Sequence, residues 1–251
     1  METIELFYPD ISVTIGKYNF TKGIEVEVYS SKTSYFDWAK IRFTKQFQNE
    51  ISINNKENAM IELGYNYVLN EVFKGYVSKP YNKSISVHEI LLKDHMILLE
   101  ETYITNTFID AAPQEIISFC LAKAGVTNFK LSNKMYPQKK SVPVNKKNII
   151  DVINQVHAVW DITERFFFSD GVFYWGEKPP QKKIYTFEYG VNIRSLNRSA
   201  GVWELETVSA PFIKHSHKIN VDHPQISGEF EVEKVVFVTN ETGFIRTRIY
   251  F

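Results

Sequence analysis

The chain has 251 residues, and 29 Lys plus Arg balance 29 Asp plus Glu, so its formal charge is zero and a globally basic nucleic-acid binder is excluded. The single cysteine, Cys120, allows neither an intrachain disulfide nor a cysteine-built zinc or iron–sulfur site. The acidic start METIELFYPD and the lack of any apolar run near about eighteen residues argue against a signal peptide or a membrane span.

Aromatic residues are abundant, with 19 Phe, 14 Tyr and 4 Trp making 15% of the chain, a composition that points to strands and extensive interfaces. Residues 1–101 read mostly as strands. IEVEVYSSK sets Ile24, Val26 and Val28 on one face and Glu25, Glu27 and Tyr29 on the other, the period-two pattern of a half-buried strand. DWAKIRFTKQF, ISINNKENAMIELGYN and VLNEVFKGYVSKPYNKSISVHEIL continue the series, and Gly75 inside an extended pattern marks a bulge or sharp bend. Short strands at intervals of about ten residues favour a compact barrel.

The middle changes character. FIDAAPQEIISFCLAKAGV predicts a helix over 112–124, with Asp110 as a candidate N-cap, Pro113 in the first turn, and Gly125 ending it. NIIDVINQVHAVW predicts a second helix over 148–160, whose apolar side carries Ile149, Val152, Ile153, Val156 and Val159 or Trp160. Residues 130–148 between them hold six lysines and no acid. ERFFFSDGVFYWGEK reads as a hairpin turned by Asp170-Gly171. KPP at 178–180 punctuates the chain, and 182–251 returns to strands. The expected fold is mainly β with an α/β insertion: a first β-barrel domain at 1–105, a two-helix α/β domain at 106–177 and a second β-barrel domain at 178–251.

That order, together with four local phrases, resembles the phage tail baseplate hub family, also called late control protein D. The phrases are VFKGYVSKP, NTFIDAAPQEIISFCLAKAGV, NIIDVINQVHAVWDITERFFFSDGVFYW and HSHKINVDHPQISGEFEVEKVVFVTNETGFIRTRIYF, the last containing Gly228, Phe230 and Val232 in a Gly-x-Phe-x-Val pattern. The resemblance implies two related β-barrels joined by an α/β domain and assembled as a homotrimer. Six barrels would then match a hexameric tail tube to a trimeric spike. It further implies a virion structural protein made in the bacterial cytoplasm and built into a phage tail or contractile injection particle. The implied partners are a tail-tube or distal tube-ring protein, a trimeric spike or tail-tip lysin, and tape-measure protein as cargo. Many hubs of this family continue past the second barrel; here the sequence stops at Phe251, so either a separate spike or lysin supplies those functions or this is a reduced hub.

A ring of barrels needs faces that become buried between subunits. Candidate contacts are Trp38, Phe43, Tyr65, Tyr67, Phe73 and Tyr76 in the first β segment, and Tyr185, Phe187, Tyr189, Trp203, Phe237, Phe244 and Tyr250 in the second. The same aromatics equally suit an intrachain core. Arg246 and Arg248 share a strand face and are candidate partners for a neighbour's acids. Lys130, Lys134, Lys139, Lys140, Lys146 and Lys147 form a candidate basic surface toward cargo or an acidic partner, or simply a solvated loop.

Signals for chemistry are weak. His215 and His217 with Asp222 and His223 give a His-x-His spacing that suits a metal only with a fixed third ligand. Cys120 with His157 would make a thiol nucleophile, yet Cys120 falls within an apolar helical stretch. No phosphate loop, dinucleotide fingerprint or helical zinc-protease motif occurs. A non-enzymatic protein with no cofactor and no sequence-specific nucleic-acid binding is expected. The competing class is a peptidoglycan-directed hydrolase or carbohydrate-binding module, which needs a cleft of converging carboxylates or stacked Trp.

Overall fold

A computed structural model of the chain describes residues 8–44, 51–79, 89–240 and 243–251. The first β segment contains β1 (Pro9–Ile15), β2 (Tyr18–Phe20), β3 (Ile24–Ser31), β4 (Trp38–Phe43), β5 (Asn58–Tyr65), β6 (Val68–Lys79) and β7 (Glu89–Lys93). The middle contains α1 (Met96–Glu101), β8 (Tyr103–Ala111), α2 (Pro113–Lys123), β9 (Phe129–Leu131), β10 (Lys139–Asn148), α3 (Ile149–Trp160), β11 (Phe166–Ser169) and β12 (Val172–Trp175). The last segment contains β13 (Tyr185–Glu188), β14 (Ser195–Ser199), β15 (Val202–Thr207), β16 (Lys218–His223), β17 (Ile226–Glu231), β18 (Lys234–Thr239) and β19 (Ile245–Tyr250).

The chain makes two compact units. Residues 95–179 form one, and both flanking β segments together form the other. Eleven of the fourteen described strands of the flanking segments join in one sheet, in the order β14-β15-β19-β18-β3-β4-β7-β6-β5-β1-β2. Its junction is the antiparallel β18–β3 pair, in which Phe237 faces Val28 and Val236 faces Tyr29. The ladder is extended by Thr239, whose Oγ1 accepts the Val26 N–H at 3.0 Å. No closed barrel is formed among the described residues; the segments expected as separate barrels share a sheet and a core. Val13, Val28, Ile41, Ile61, Leu63 and Leu92 from the first segment lie in one buried cluster with Leu205, Val235, Phe237, Ile245 and Ile249 from the last. A separate three-stranded sheet, β13-β16-β17, carries a parallel β13–β16 pair.

Alternation along β3 is as the sequence requires: Ile24, Val26 and Val28 are buried and Glu25, Glu27 and Tyr29 are half-buried. Gly75 lies where β6 passes from pairing with β5 to pairing with β7. A Cβ there would stand 2.1 Å from the Lys93 carbonyl oxygen, so the close backbone approach needs glycine. Gly75→Ala is therefore expected to destabilise this unit by about 1–3 kcal/mol, read as a lower urea midpoint with an unchanged slope.

In the 95–179 unit, α2 starts at Pro113 with Ala112 as its N-cap, close to the expected start at 112, but the cap is not Asp110 as the sequence suggested. Asp110 sits at φ 45° at the end of β8, and Glu115 reaches back to accept the Ala112 N–H at 2.6 Å. Gly125 follows the helix at φ 75°. Asn148 caps α3, its side chain accepting the Asp151 N–H at 2.8 Å. The buried side of α3 is Ile149, Val152, Ile153, Val156 and Trp160, and Val159 faces out. Asp170 and Gly171, at φ 52° and 71°, turn the β11–β12 hairpin. Residues 96–101, read as extended from the sequence, are helical, because Met96, Ile97 and Leu99 bury one side of a single short turn. Half of the lysine-rich stretch is strand β10, paired antiparallel with β8.

Candidate interaction surface

One face of the large sheet covers its core and the other is half-exposed. On the outer face, residues directly opposite one another fall into a row that crosses seven strands: Glu206, Arg248, Val236, Tyr29, Trp38, Lys93 and Tyr76. At about 4.8 Å between strands the row is about 29 Å long. Arg246, Val238, Glu27, Lys40 and Leu91 run beside it.

The row is held by rings and charges packed against each other. Tyr29 and Trp38 stack at 5.2 Å with an interplanar angle of 5°. The Lys234 ammonium lies 3.5 Å from the Tyr250 ring centre and 5.7 Å from that of Tyr29, and Lys40 lies 5.8 Å from Trp38. Glu206 sits between two guanidinium groups, Arg248 Nε at 3.2 Å and Arg194 Nε at 3.8 Å. Its hydrogen bond holds the Arg248 pKa above the ordinary arginine value. Burial, then the charge of Arg194, lowers that of Arg246, whose guanidinium lies 3.6 Å from the Phe244 ring centre. Burial, reinforced by Glu204, pushes the Tyr250 hydroxyl up to about 12. Pairs this exposed contribute at most about 1 kcal/mol each, so their main effect is to fix side-chain positions across the face.

At the Trp38 end of the row lies a buried polar group. Asp37 accepts hydrogen bonds from Ser30 Oγ at 2.5 Å and from the Ser31 N–H at 2.9 Å. Asp94 in turn accepts the Asp37 N–H at 3.2 Å. Nε2 of His215, a residue only 2% exposed, stands 3.9 Å from Asp37 Oδ2, joining the first β segment to the turn before β16. Burial raises the Asp37 pKa to about 7 against the opposing pull of its two serine hydrogen bonds.

Of the contact residues expected from the sequence, Trp38, Tyr76 and Arg248 share this row and Arg246 lies beside it. Tyr65 is half-buried, with the Ile245 backbone and Arg246 acting on its hydroxyl. Tyr67 stands 80% exposed in the two-residue turn between β5 and β6, at φ 63°, its ring 6.0 Å from that of Tyr8. A non-glycine residue in that region carries backbone strain of about 1 kcal/mol or more. Tyr185 stacks on Phe212 at 4.0 Å, and exposed Tyr189 meets His223 edge-on at 4.8 Å. Trp203, half-buried, alternates away from the row and carries Arg198 at 5.4 Å from its ring centre. Phe43 and Phe73 are corrections: both are buried, Phe43 packing edge-on to Phe20 at 5.0 Å, so their rings serve this chain's own core. Tyr29, Lys234, Glu206 and Asp37 were not singled out by sequence reasoning. Only the placement of Tyr29 on the polar face of its strand hinted at the row.

The lysines of 130–147 have different surroundings. Lys134 pairs with Glu164 at 2.9 Å, Lys147 donates to Gln155 Oε1 at 2.8 Å, and Lys130 lies 5.9 Å from the Tyr174 ring centre. Lys139, Lys140 and Lys146 are exposed along or beside β10.

The weak chemical signals do not converge. His215 and His217 belong to a turn in which Ser216 has φ 65°, and His217 Nδ1 accepts the Lys214 N–H at 3.3 Å. Among the described residues no group of three or more His, Cys, Asp or Glu is placed to hold a metal. Cys120 is buried in α2, and burial pushes its thiol up to about 12, far from a thiolate at neutral pH. Its postulated base, His157, instead accepts the Trp175 indole N–H at 2.7 Å. No helix among the described residues is long and apolar enough to cross a membrane.

No protein-family model matches the chain, and no curated protein matches it by sequence. Solved structures do match its fold. The 43 kDa tail protein of prophage MuSo2 from Shewanella oneidensis aligns with a TM-score of 0.74 at 10% identity, over 97% of this chain and 98% of that one. A tail protein from Neisseria meningitidis MC58 aligns with a TM-score of 0.71 at 10% identity, over 97% and 96%. An Escherichia coli component of the type VI secretion system, described as structurally similar to the bacteriophage T4 tail proteins gp27 and gp5, aligns with a TM-score of 0.68 at 12% identity, over 95% and 75%. The fold of this chain is similar to that of these phage and type VI tail proteins over most of its length.

Proposed function

We propose that the chain is a baseplate hub subunit: a structural protein that joins the last ring of a hexagonal tail tube to a trimeric spike. The observation that carries this reading is a likeness to tail proteins that spans nearly the whole of both chains. Three copies would form the ring. Each contributes two quasi-equivalent β-barrel positions, one from 1–105 and one from 178–251, with the two-helix α/β domain of 106–177 between them. Among the described residues each flanking segment supplies seven strands, β1 to β7 and β13 to β19, as two related positions require. The work is symmetry adaptation, six positions from three chains, and no side chain has covalent chemistry to perform. Tape-measure protein would pass along the axis, a separate spike or lysin would dock below, and the particle would be assembled in the host cytoplasm.

The seven-strand row, with the exposed rings of Tyr67 and Tyr189, is the surface offered to neighbouring subunits. Light scattering on the purified chain across a concentration series tests this. A particle of about 88 kDa, three times the 29.3 kDa chain, is expected. Tyr67→Glu with Tyr189→Glu should shift it toward monomer while leaving the far-ultraviolet circular dichroism of the folded chain unchanged, because both rings are mostly exposed, at 80% and 61%. A 29.3 kDa species at every concentration would count against self-assembly into a ring.

A further inference from the structure

We propose that the outer edge of β8 is a strand-addition site for an extended, acidic segment of a partner polypeptide. In the 95–179 unit β8 and β10 form a two-stranded ribbon, and α2 and α3 pack against its inner face, where Ile104, Val142 and Val144 are buried. The two edges of this ribbon differ. At the outer edge of β10, Pro143 has no N–H to offer, and its carbonyl accepts the Gln155 Nε2 amide at 2.9 Å. That edge is closed by proline and by α3.

The direction of Pro143 fixes that of its neighbour across the ribbon. Opposite residues in an antiparallel pair either exchange hydrogen bonds or both turn their backbone groups outward. Pro143 turns its carbonyl outward, so Thr107, which faces it, presents its N–H and C=O at the far edge of β8. Direction repeats every second residue, so Thr105 and Ile109 do the same. Among the described residues β8 pairs with β10 alone, and no strand covers this edge. The side chains beside it are open to solvent, with Tyr103 at 66% and Ile109 at 63%. A long exposed edge with Tyr103 and Ile109 beside it and a single charge, Asp110, near its end is the arrangement that accepts an added strand.

Charge selects the occupant. Residues 139–147 carry Lys139, Lys140, Lys146 and Lys147 and no acid, and Asp110 is the sole acid of β8. A strand added to β8 would lie about 10 Å from β10, two strand spacings away, within reach of long lysine side chains and within about one Debye length at 0.1 M salt, so the titration is run at low ionic strength. Glutamates or aspartates at alternate positions of an incoming segment meet that field. The proposal does not depend on ring assembly, and a chain that stays monomeric would leave it intact.

The probe is a fluorescently labelled acetyl-(Val-Glu)4-amide peptide, titrated with the full chain and followed by anisotropy. Saturable binding is expected, at least about tenfold tighter than for the matching (Val-Lys)4 peptide. Alternate N-methylation of the acidic peptide keeps its charge but removes the N–H groups that would join the ladder, and should abolish binding. Hydrogen exchange at the Thr105, Thr107 and Ile109 amides should slow when the unmodified peptide is bound. Lys139→Glu with Lys140→Glu should weaken binding, and Thr107→Pro should remove it. Equal binding of the N-methylated peptide, displacement by a short oligothymidine with no amide protection, or no binding at all would each overturn the proposal.

Discussion

Trp175→Ala is expected to lower stability by about 3–5 kcal/mol, the cost of emptying a large buried aromatic site. Trp175 is wholly buried at the end of β12, and its indole N–H donates to His157 Nε2 at 2.7 Å. The substitution therefore opens a cavity and leaves the His157 nitrogen without its donor. Burial already holds the His157 pKa below the ordinary histidine value, so that nitrogen is a neutral acceptor in need of a donor. Against a typical domain stability of about 5–15 kcal/mol, the loss removes a large share of the total. Calorimetry of the full chain should show a lower thermal midpoint, and near-ultraviolet circular dichroism should lose fine structure. Trp175→Phe refills most of the volume without the donor and should cost about 1–3 kcal/mol. If Trp175→Phe unfolded like the wild type, the hydrogen bond would have no weight; if the two variants unfolded alike, the cavity would have none.

The second large expected effect is a dependence of stability on pH set by Asp37. Its carboxyl is raised from 3.8 to about 7 in the folded chain, chiefly by burial. The folded state therefore binds a proton more tightly than the unfolded state between those values. The resulting stabilisation is complete below about pH 4 and is lost as pH rises toward about 7, with an upper limit of about 4 kcal/mol. The groups facing Asp37 temper it: the Ser30 hydroxyl and the Ser31 N–H favour the ionised form, and His215 Nε2, 3.9 Å away, does so when protonated. Urea unfolding across this range should show the wild type losing stability as pH rises. Asp37→Asn keeps the shape and a hydrogen-bonding oxygen, so its slope should be flatter. Parallel slopes for the two proteins would show that Asp37 does not titrate in this way.

Much of the middle unit was legible because its signals are local. The Pro113 first turn, the start of α3 near Asn148, the Asp170-Gly171 turn and the apolar side of α3 each lie within a few residues of the structure they specify. Where nearby signals were ambiguous the reading slipped. Met96 to Glu101 is too short to distinguish a helical turn from a strand by periodicity. Asp110 resembles a cap by residue type, but the backbone turns at that residue and the helix starts only after Ala112.

The candidate surface was legible only in part. Trp38, Tyr76, Arg246 and Arg248 stood out as aromatic or paired basic residues on strands. Nothing in their sequence neighbourhoods shows that Trp38 faces Lys93, or that Arg248 reaches the Tyr29 strand through Val236. Phe43 and Phe73 carry the same residue-type signal, yet lie on the inner face. Asp37 and His215 carry no local mark of their association, since 177 intervening residues separate them.

The sequence by itself determined most element types, the spans of α2 and α3 to within about a residue, the alternation of buried and exposed positions, the β11–β12 turn, and the mainly β character with a helical insertion. These follow from dihedral preference and from side-chain period, which act within a few residues. Only the tertiary structure decided that both chain ends share one sheet through β3 and β18, which residues stand in the seven-strand row, and that one edge of the β8–β10 ribbon is closed and the other open. Strand pairing is made by backbone groups that every residue possesses, so partners distant in sequence are selected by the packing of the whole core.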